Sequence, residues 1–281
     1  MILSLTTLAA KALAQAGEGP YMLGEQLYDE LDYARFCANT LLEKRMIRAT
    51  QLGKSEWILR LHKEGVKLNP EIMTWAARYG HSMCIRIMRE LGCEWHPYTT
   101  AYATQYGHSK FIREVVELGC PLDPSITSVA AMHGYPECIR IARELGCPWH
   151  PQTTAMAAKR GNPECIRIAI ELGGEWDPET TGWAARSGNP DSIRILMELG
   201  CPWDPQTTAY AAMYGHPECI RVARELGCPW DPETTARAAM FGNPECIRVV
   251  RELGCPWDPE TRLNVGDNDA MLVVLDELGC P

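Results

Sequence analysis

Glycine recurs at Gly53, Gly80, Gly107, Gly134, Gly161, Gly188, Gly215 and Gly242, a strict interval of 27 residues. A second ladder, Gly65 to Gly254, keeps the same interval 12 residues behind the first. A chain written this way cannot wrap around one irregular core. Each copy must form the same small unit and bury its apolar face against the next. Residues 201–227 and 228–254 differ at only 5 of 27 positions, as expected of recent duplication. Eight full units span about Glu43 to Asn264, and a shortened ninth runs to Pro281.

Each unit reads as two short helices. In the seventh, Asp204-Pro205 supplies an N-cap and a proline at the first helical position, where its missing N–H costs nothing. A first helix through Thr207, Thr208, Ala211 and Ala212 then stops at Gly215. His216-Pro217-Glu218 starts the second by the same chemistry, with Cys219, Ile220, Ala223 and Leu226 as its apolar face. Gly227 suits a left-handed C-terminal cap. The pattern predicts an all-α fold, an α-solenoid of about nine stacked helix-turn-helix units over residues 43–281. Residues 1–42 do not follow the period and are expected to form a helical cap.

The segment AAMYGHPECIRVARELGC, Ala211–Cys228, resembles the core of the ankyrin repeat. Its two alanines, Gly-His step, acidic residue and closing glycine fall at matching offsets, and the resemblance covers about 43–281. The usual ankyrin period is about 33 residues, and its TPLH segment is replaced here by Thr207-Thr208-Ala209-Tyr210. The resemblance implies that the shortfall lies in the connection that forms a projecting β-hairpin in ankyrin repeats. Here that connection is only Cys-Pro-Trp-Asp-Pro. Short units with this signature resemble those in proteins of giant DNA viruses and some protists. By resemblance, the chain is then a non-catalytic scaffold for protein–protein interaction, a viral protein acting on host factors in the host cytoplasm or nucleus. The first helices would line its concave face.

Differences between copied units mark where a partner would bind. One first-helix stripe at i, i+4, i+7 contains Tyr98, Tyr102 and Gln105 in one unit and Gln206, Tyr210 and Met213 in another. Its middle column reads Trp75, Tyr102, Val129, Met156, Trp183, Tyr210, Arg237, and its last column Arg78, Gln105, Met132, Lys159, Arg186, Met213, Met240. A core column would not accept Arg, Trp and Val in turn. Aromatic, Met and Arg side chains are the types enriched at interface hot spots. Trp75, Arg78, Tyr102, Gln105, Met156, Lys159, Trp183, Arg186, Tyr210 and Arg237 are therefore the expected partner-binding residues. Drift at unselected exposed positions is the competing explanation.

The remaining motifs read as scaffold. Thirteen cysteines, with no basic leading segment before the mildly apolar Met1–Ala14, suit a reducing intracellular compartment. Two cysteine ladders stand nine residues apart, about 13 Å along a helix, too far for one zinc ion. Phe111, Ser192 and Gly174 replace cysteine in single units, which fits a size-limited packing slot. His81, His108 and His216 alternate with Asn162, Asn189 and Asn243, which predicts a cap or a backbone hydrogen bond. His96 and His150 replace the capping aspartates and should cap less well. Six tryptophans, Trp95 to Trp257, recur in the connections and are expected to wedge between units.

No phosphate loop or nucleophile elbow occurs, so neither an enzyme nor a cofactor is expected. The −9 charge argues against a nucleic-acid reading built on Arg78, Lys159, Arg160, Arg186 and Arg237. No run of 18 apolar residues exists, so no membrane partner is expected. An arginine ladder on the second helices predicts i, i+3 pairs such as Glu137–Arg140, Glu164–Arg167, Asp191–Arg194, Glu218–Arg221 and Glu245–Arg248.

Both ends carry separate expectations. Ser4–Leu13 resembles the elongin-binding box of cullin-ligase adaptors, and Tyr21–Leu31 loosely its second element. That resemblance implies a substrate-recruiting adaptor acting through residues 4–31 as the alternative function. In the ninth unit Val273 takes the arginine position, so Leu272, Val273 and Leu275 are expected to join two chains end to end, with inward packing of Val273 as the alternative.

Overall fold

Every glycine of the two ladders has a positive φ, from +64° at Gly161 to +92° at Gly173. A side chain would be strained there, so each glycine ends a helix and turns the chain. The computed structural model describes residues 42–266 and 268–281. The expected cap and adaptor box before residue 42 lie outside the described residues. The described residues divide into two units, one ending at His96 and the other running from Pro97 to Pro281. No strand occurs among the described residues, and no hairpin fills the short connections.

In the first unit, α1 (Leu42–Gln51) and α2 (Ser55–Lys63) form one helix pair and α3 (Glu71–Tyr79) and α4 (Ser82–Glu90) the next. α1 packs on α3 and α2 on α4. The second unit opens with α5 (Thr99–Gln105), α6 (Ser109–Glu117), α7 (Ile126–His133) and α8 (Pro136–Glu144). It continues through α9 (Thr153–Lys159), α10 (Pro163–Glu171), α11 (Thr180–Ser187) and α12 (Pro190–Glu198). Then come α13 (Thr207–Met213), α14 (Pro217–Glu225), α15 (Thr234–Met240) and α16 (Pro244–Glu252), and a 3₁₀ turn (Leu263–Val265) precedes α17 (Asp269–Glu277). First helices pack on first helices and second on second, so each unit is a stack of helix pairs, an α-solenoid.

The core between the layers repeats with the sequence. Ile139, Ile166, Ile193, Ile220 and Ile247 are wholly buried, each stabilising the stack by about 2 kcal/mol. Cys219 and Ala223 join Ile220 inside, whereas Leu226, expected on that face, lies beyond the helix end and is 40% exposed.

The start of the first helices differs from the sequence reading. The first helices begin two residues later than expected, because the aspartate closes a turn instead of capping a helix. Asp204 Oδ1 accepts from the Gln206 N–H at 2.9 Å and Asp231 Oδ1 from Glu233 at 2.8 Å. His150 Nδ1 replaces this contact more weakly, at 3.3 Å. The paired threonines, buried throughout, bind across the interface: the Asp204 N–H donates to Thr181 Oγ1 at 2.7 Å, and Thr207 Oγ1 lies 3.2 Å from the same oxygen.

The His/Asn position reaches backwards to the previous pair. His216 Nε2 lies 3.1 Å from the Arg186 carbonyl, and Asn243 Nδ2 donates to Ala212 O at 2.8 Å. Both residue types thus deliver one N–H to the same kind of acceptor, which explains their interchange and bears out the expected backbone hydrogen bond. Only Asn189 and Asn268 also cap the helix they precede. The ladder glycine one repeat before a His or Asn of this position is needed for a second reason. A Cβ on Gly188 would lie 2.6 Å from the His216 ring.

The arginine ladder pairs between units more than within helices. Arg113 reaches Glu144 at 2.5 Å, Arg167 reaches Glu198 at 3.1 Å, and Arg221 reaches Glu252 at 2.9 Å, each one repeat ahead. Of the expected i, i+3 pairs only Asp191–Arg194 forms, at 3.9 Å. A long guanidinium side chain spans the gap between adjacent second helices and finds the carboxylate at the far end of the next one. These pairs are exposed, and each contributes less than about 1 kcal/mol.

The tryptophans are half-buried and clasped from their own unit. Arg143 lies over Trp149 at 4.9 Å, and Arg224 and Arg251 lie over Trp230 and Trp257 at 4.5 Å each. Each of these guanidinium groups also donates to the carbonyl of the following cysteine, Cys147, Cys228 or Cys255. Trp149 in addition binds the next unit, Nε1 donating to Leu172 O at 3.2 Å.

Candidate functional site

Small residues set the first helices close together. Ala157, Ala184, Ala211 and Ala238 are wholly buried, so the residues one position before them are raised on the outer side of the row. Met156 on α9, Trp183 on α11, Tyr210 on α13 and Arg237 on α15 stand there, each half-buried. The Trp183 and Tyr210 rings stack, with centroids 6.4 Å apart and planes 9° from parallel. From the preceding helix Lys159 Nζ lies 5.0 Å from the Trp183 centroid, and Arg186 lies 5.4 Å from the same ring. Two cations and a second aromatic ring therefore hold Trp183 in place.

The expected site residues are distributed over both units. Trp75 and Arg78 belong to the first, with the guanidinium 5.6 Å from the indole centroid. Tyr102, Gln105, Met156, Lys159, Trp183, Arg186, Tyr210 and Arg237 belong to the second. Tyr102 and Lys159 are exposed and Gln105 is half-buried. Arg237 is tied to Glu233 at 2.7 Å and lies 3.8 Å from Met213 Sδ. Four of the five cations considered for nucleic acid, Arg78, Lys159, Arg186 and Arg237, thus sit on aromatic rings or a carboxylate.

The stripe at i, i+4, i+7 missed one participant. Arg186 also covers Tyr214, 4.6 Å from its ring. Tyr214 belongs to the column just before the first glycine ladder, which reads Tyr79, Tyr106, His133, Arg160, Ser187, Tyr214, Phe241. The same interchange of unlike residues that exposed the stripe was present in that column too.

Between α9 and α11 lies a groove of about 350 Å³ walled by Gln152, Met156 and Lys159 on one side and Asp177, Glu179 and Trp183 on the other. One step further, Asp204 is 5% exposed, and its Oδ2 has no hydrogen-bond partner. The cause is Gly182, which stands where Ala155, Ala209 and Ala236 stand elsewhere. The carboxylate occupies the space of the absent Cβ, which would lie 2.1 Å from Oδ2. The equivalent aspartates Asp177, Asp231 and Asp258 remain half-exposed.

The cysteine ladders are packing groups. Every described cysteine except Cys280 is buried, and loss of water around Cys138, Cys219 and Cys246 pushes each thiol up to about 12. A protonated buried thiol is a poor nucleophile at neutral pH. Among the described residues no three His, Cys, Asp or Glu side chains converge as a metal site requires. No described helix is long and apolar enough to cross a membrane.

The last helix corrects one expectation. Leu275 is wholly buried inside its own unit and cannot meet another chain. Leu272 is half-buried, and Val273 is 56% exposed instead of packing inward. The closing carbonyl is served from the opposite side: Arg262 binds Asp276 and donates to Cys280 O at 3.3 Å.

No family model and no curated protein matches the chain. Among solved structures it is similar to the ankyrin repeat domain of human ASB11, with 18% identity, a TM-score of 0.39, and coverage of 66% of this chain and 84% of that one.

Proposed function

We propose that the chain is a non-catalytic protein-binding scaffold and that the first-helix row of residues 97–281 receives the partner. One observation carries this reading: Trp183, held between Lys159, Arg186 and Tyr210, projects from a row whose supporting framework hardly varies. An aromatic anchor fixed before binding loses little side-chain freedom when it is covered. The sequence resemblance of Ala211–Cys228 to the ankyrin core points the same way. The resemblance of the Cys-Pro-Trp-Asp units to those of giant viruses makes the partner a host protein of the cytoplasm or nucleus. Affinity capture from the native cell with the intact chain and with Trp183→Ala/Tyr210→Ala tests the reading. A protein retained by the first and lost by the equally folded second supports it. Equal retention by both contradicts it.

A second reading, a homodimer through the C-terminal unit, is favoured by the exposure of Val273 on α17. Light scattering at tens of micromolar decides: a dimer that Val273→Arg converts to monomer supports it, and a monomeric unmutated chain removes it.

A further inference from the structure

On the first-helix face, between α15 and the 3₁₀ turn, lies a groove of about 670 Å³. That volume lies within the range of about 300–1,000 Å³ typical of ligand sites. Its floor is apolar and adaptable. Met213, Met240 and Phe241 line it, with Met240 60% and Phe241 47% exposed. Methionine side chains bend to fit different apolar shapes, so a Met-lined groove accepts a side chain from a partner readily. Such an exposed apolar surface rimmed by charge marks an interaction site.

The rim decides the sign of the partner. Glu233, Asp258 and Glu260 line the groove against a single cation, Arg237. Arg237 is already bound to Glu233 at 2.7 Å. Asp258 uses Oδ1 to accept the Glu260 N–H at 2.7 Å, and neither carboxylate forms an ion pair among the described residues. The chain as a whole carries −9, so its field draws a cation towards this rim and repels an anion.

We infer that this groove takes a basic, apolar peptide segment of the partner protein. One large apolar side chain sits among Met213, Met240 and Phe241, and a neighbouring Lys or Arg meets Asp258 and Glu260. This rests on the reading of the chain as a protein-binding scaffold and adds the chemistry of what is bound. Arginine suits the two carboxylates best, because its fork donates to both at once.

The test uses the full chain and labelled amphipathic peptides of about three helical turns. One carries leucine and arginine, the second leucine and glutamate, the third serine and arginine. Fluorescence anisotropy should show binding of the leucine–arginine peptide alone. Asp258→Asn/Glu260→Gln keeps the turn acceptor and should weaken that binding three- to tenfold and flatten its salt dependence. Met240→Ser/Phe241→Ser should weaken it at every salt concentration, with the circular dichroism of both variants unchanged.

Binding of the glutamate peptide, equal binding of the serine peptide, or indifference to both double substitutions overturns the inference. So does no binding at all. If cellular capture still depends on Trp183 and Tyr210 in that case, the scaffold reading stands and only the groove assignment falls. If the peptide binds as expected but capture is indifferent to Trp183 and Tyr210, the groove stands and the Trp183-centred row is the error.

Discussion

Asn243 donates one amide to two carbonyl oxygens of the preceding repeat, Ala212 at 2.8 Å and Met213 at 2.9 Å. Those carbonyls close α13, where Ala212 O takes only the longer Gly215 N–H at 3.3 Å, so the side-chain amide supplies the closer donor at the helix end. One side chain thus satisfies the end of a helix and fixes the distance to the next pair.

Removing that amide takes away the Met213 carbonyl's side-chain donor and leaves Ala212 O with only the longer Gly215 N–H, in a half-buried interface. Asn243→Ala is expected to lower stability by about 1–2 kcal/mol in urea unfolding. His216→Asn should be nearly neutral, because asparagine already serves the same position in three units. A neutral Asn243→Ala would remove the role assigned to this contact.

Two glycines in one helix pair should respond oppositely. Gly182→Ala gains about 1 kcal/mol of helix propensity and turns the Asp204 carboxylate, whose Oδ2 has no partner, out to the half-exposed position of its equivalents. Gly188→Ala meets both a φ of +79° and the His216 ring, and should cost more than about 1 kcal/mol. Urea midpoints that move in the same direction for both substitutions would contradict this account of α11.

Buried thiols make the fold sensitive to alkali. Cys138, Cys165, Cys219 and Cys246 have folded values raised to about 12 from 9.0, so their contribution is complete below pH 9. Above it the unfolded chain releases protons that the folded chain still holds, and stability falls as pH rises towards 12. A fall in urea midpoint beginning near pH 9 is the expected result. At neutral pH a thiol reagent should label Cys280 and leave the buried ladders unlabelled until urea is added.

The fold was legible in the sequence because its causes are local. The glycine ladders need positive φ, the prolines start second helices, and Ile220 and its copies fill one face. Contacts between repeats were not legible in the same way. Arg221 has Glu218 three residues away and Glu252 thirty-one residues away, and spacing alone favours the nearer partner. The interval of the stack decides for the farther one. Thr181 reads as an ordinary helix-start residue until the next unit's Asp204 N–H is placed on it.

Of the candidate site, the Met156–Trp183–Tyr210–Arg237 column was visible in the variation between copies. The clamping of Trp183 was not, since Lys159, Arg186 and Tyr210 come from three consecutive repeats. Asp204 was hidden for a similar reason. Its burial follows from a glycine twenty-two residues earlier.

Hydrogen exchange of the full chain with and without its captured partner tests the central claim most directly. Bound partner should slow exchange in α9, α11 and α13, within Thr153–Met213, and leave the outer faces of α10, α12 and α14 unchanged. Protection confined to the second helices, with Trp183 and its neighbours exchanging as in the free chain, would contradict it.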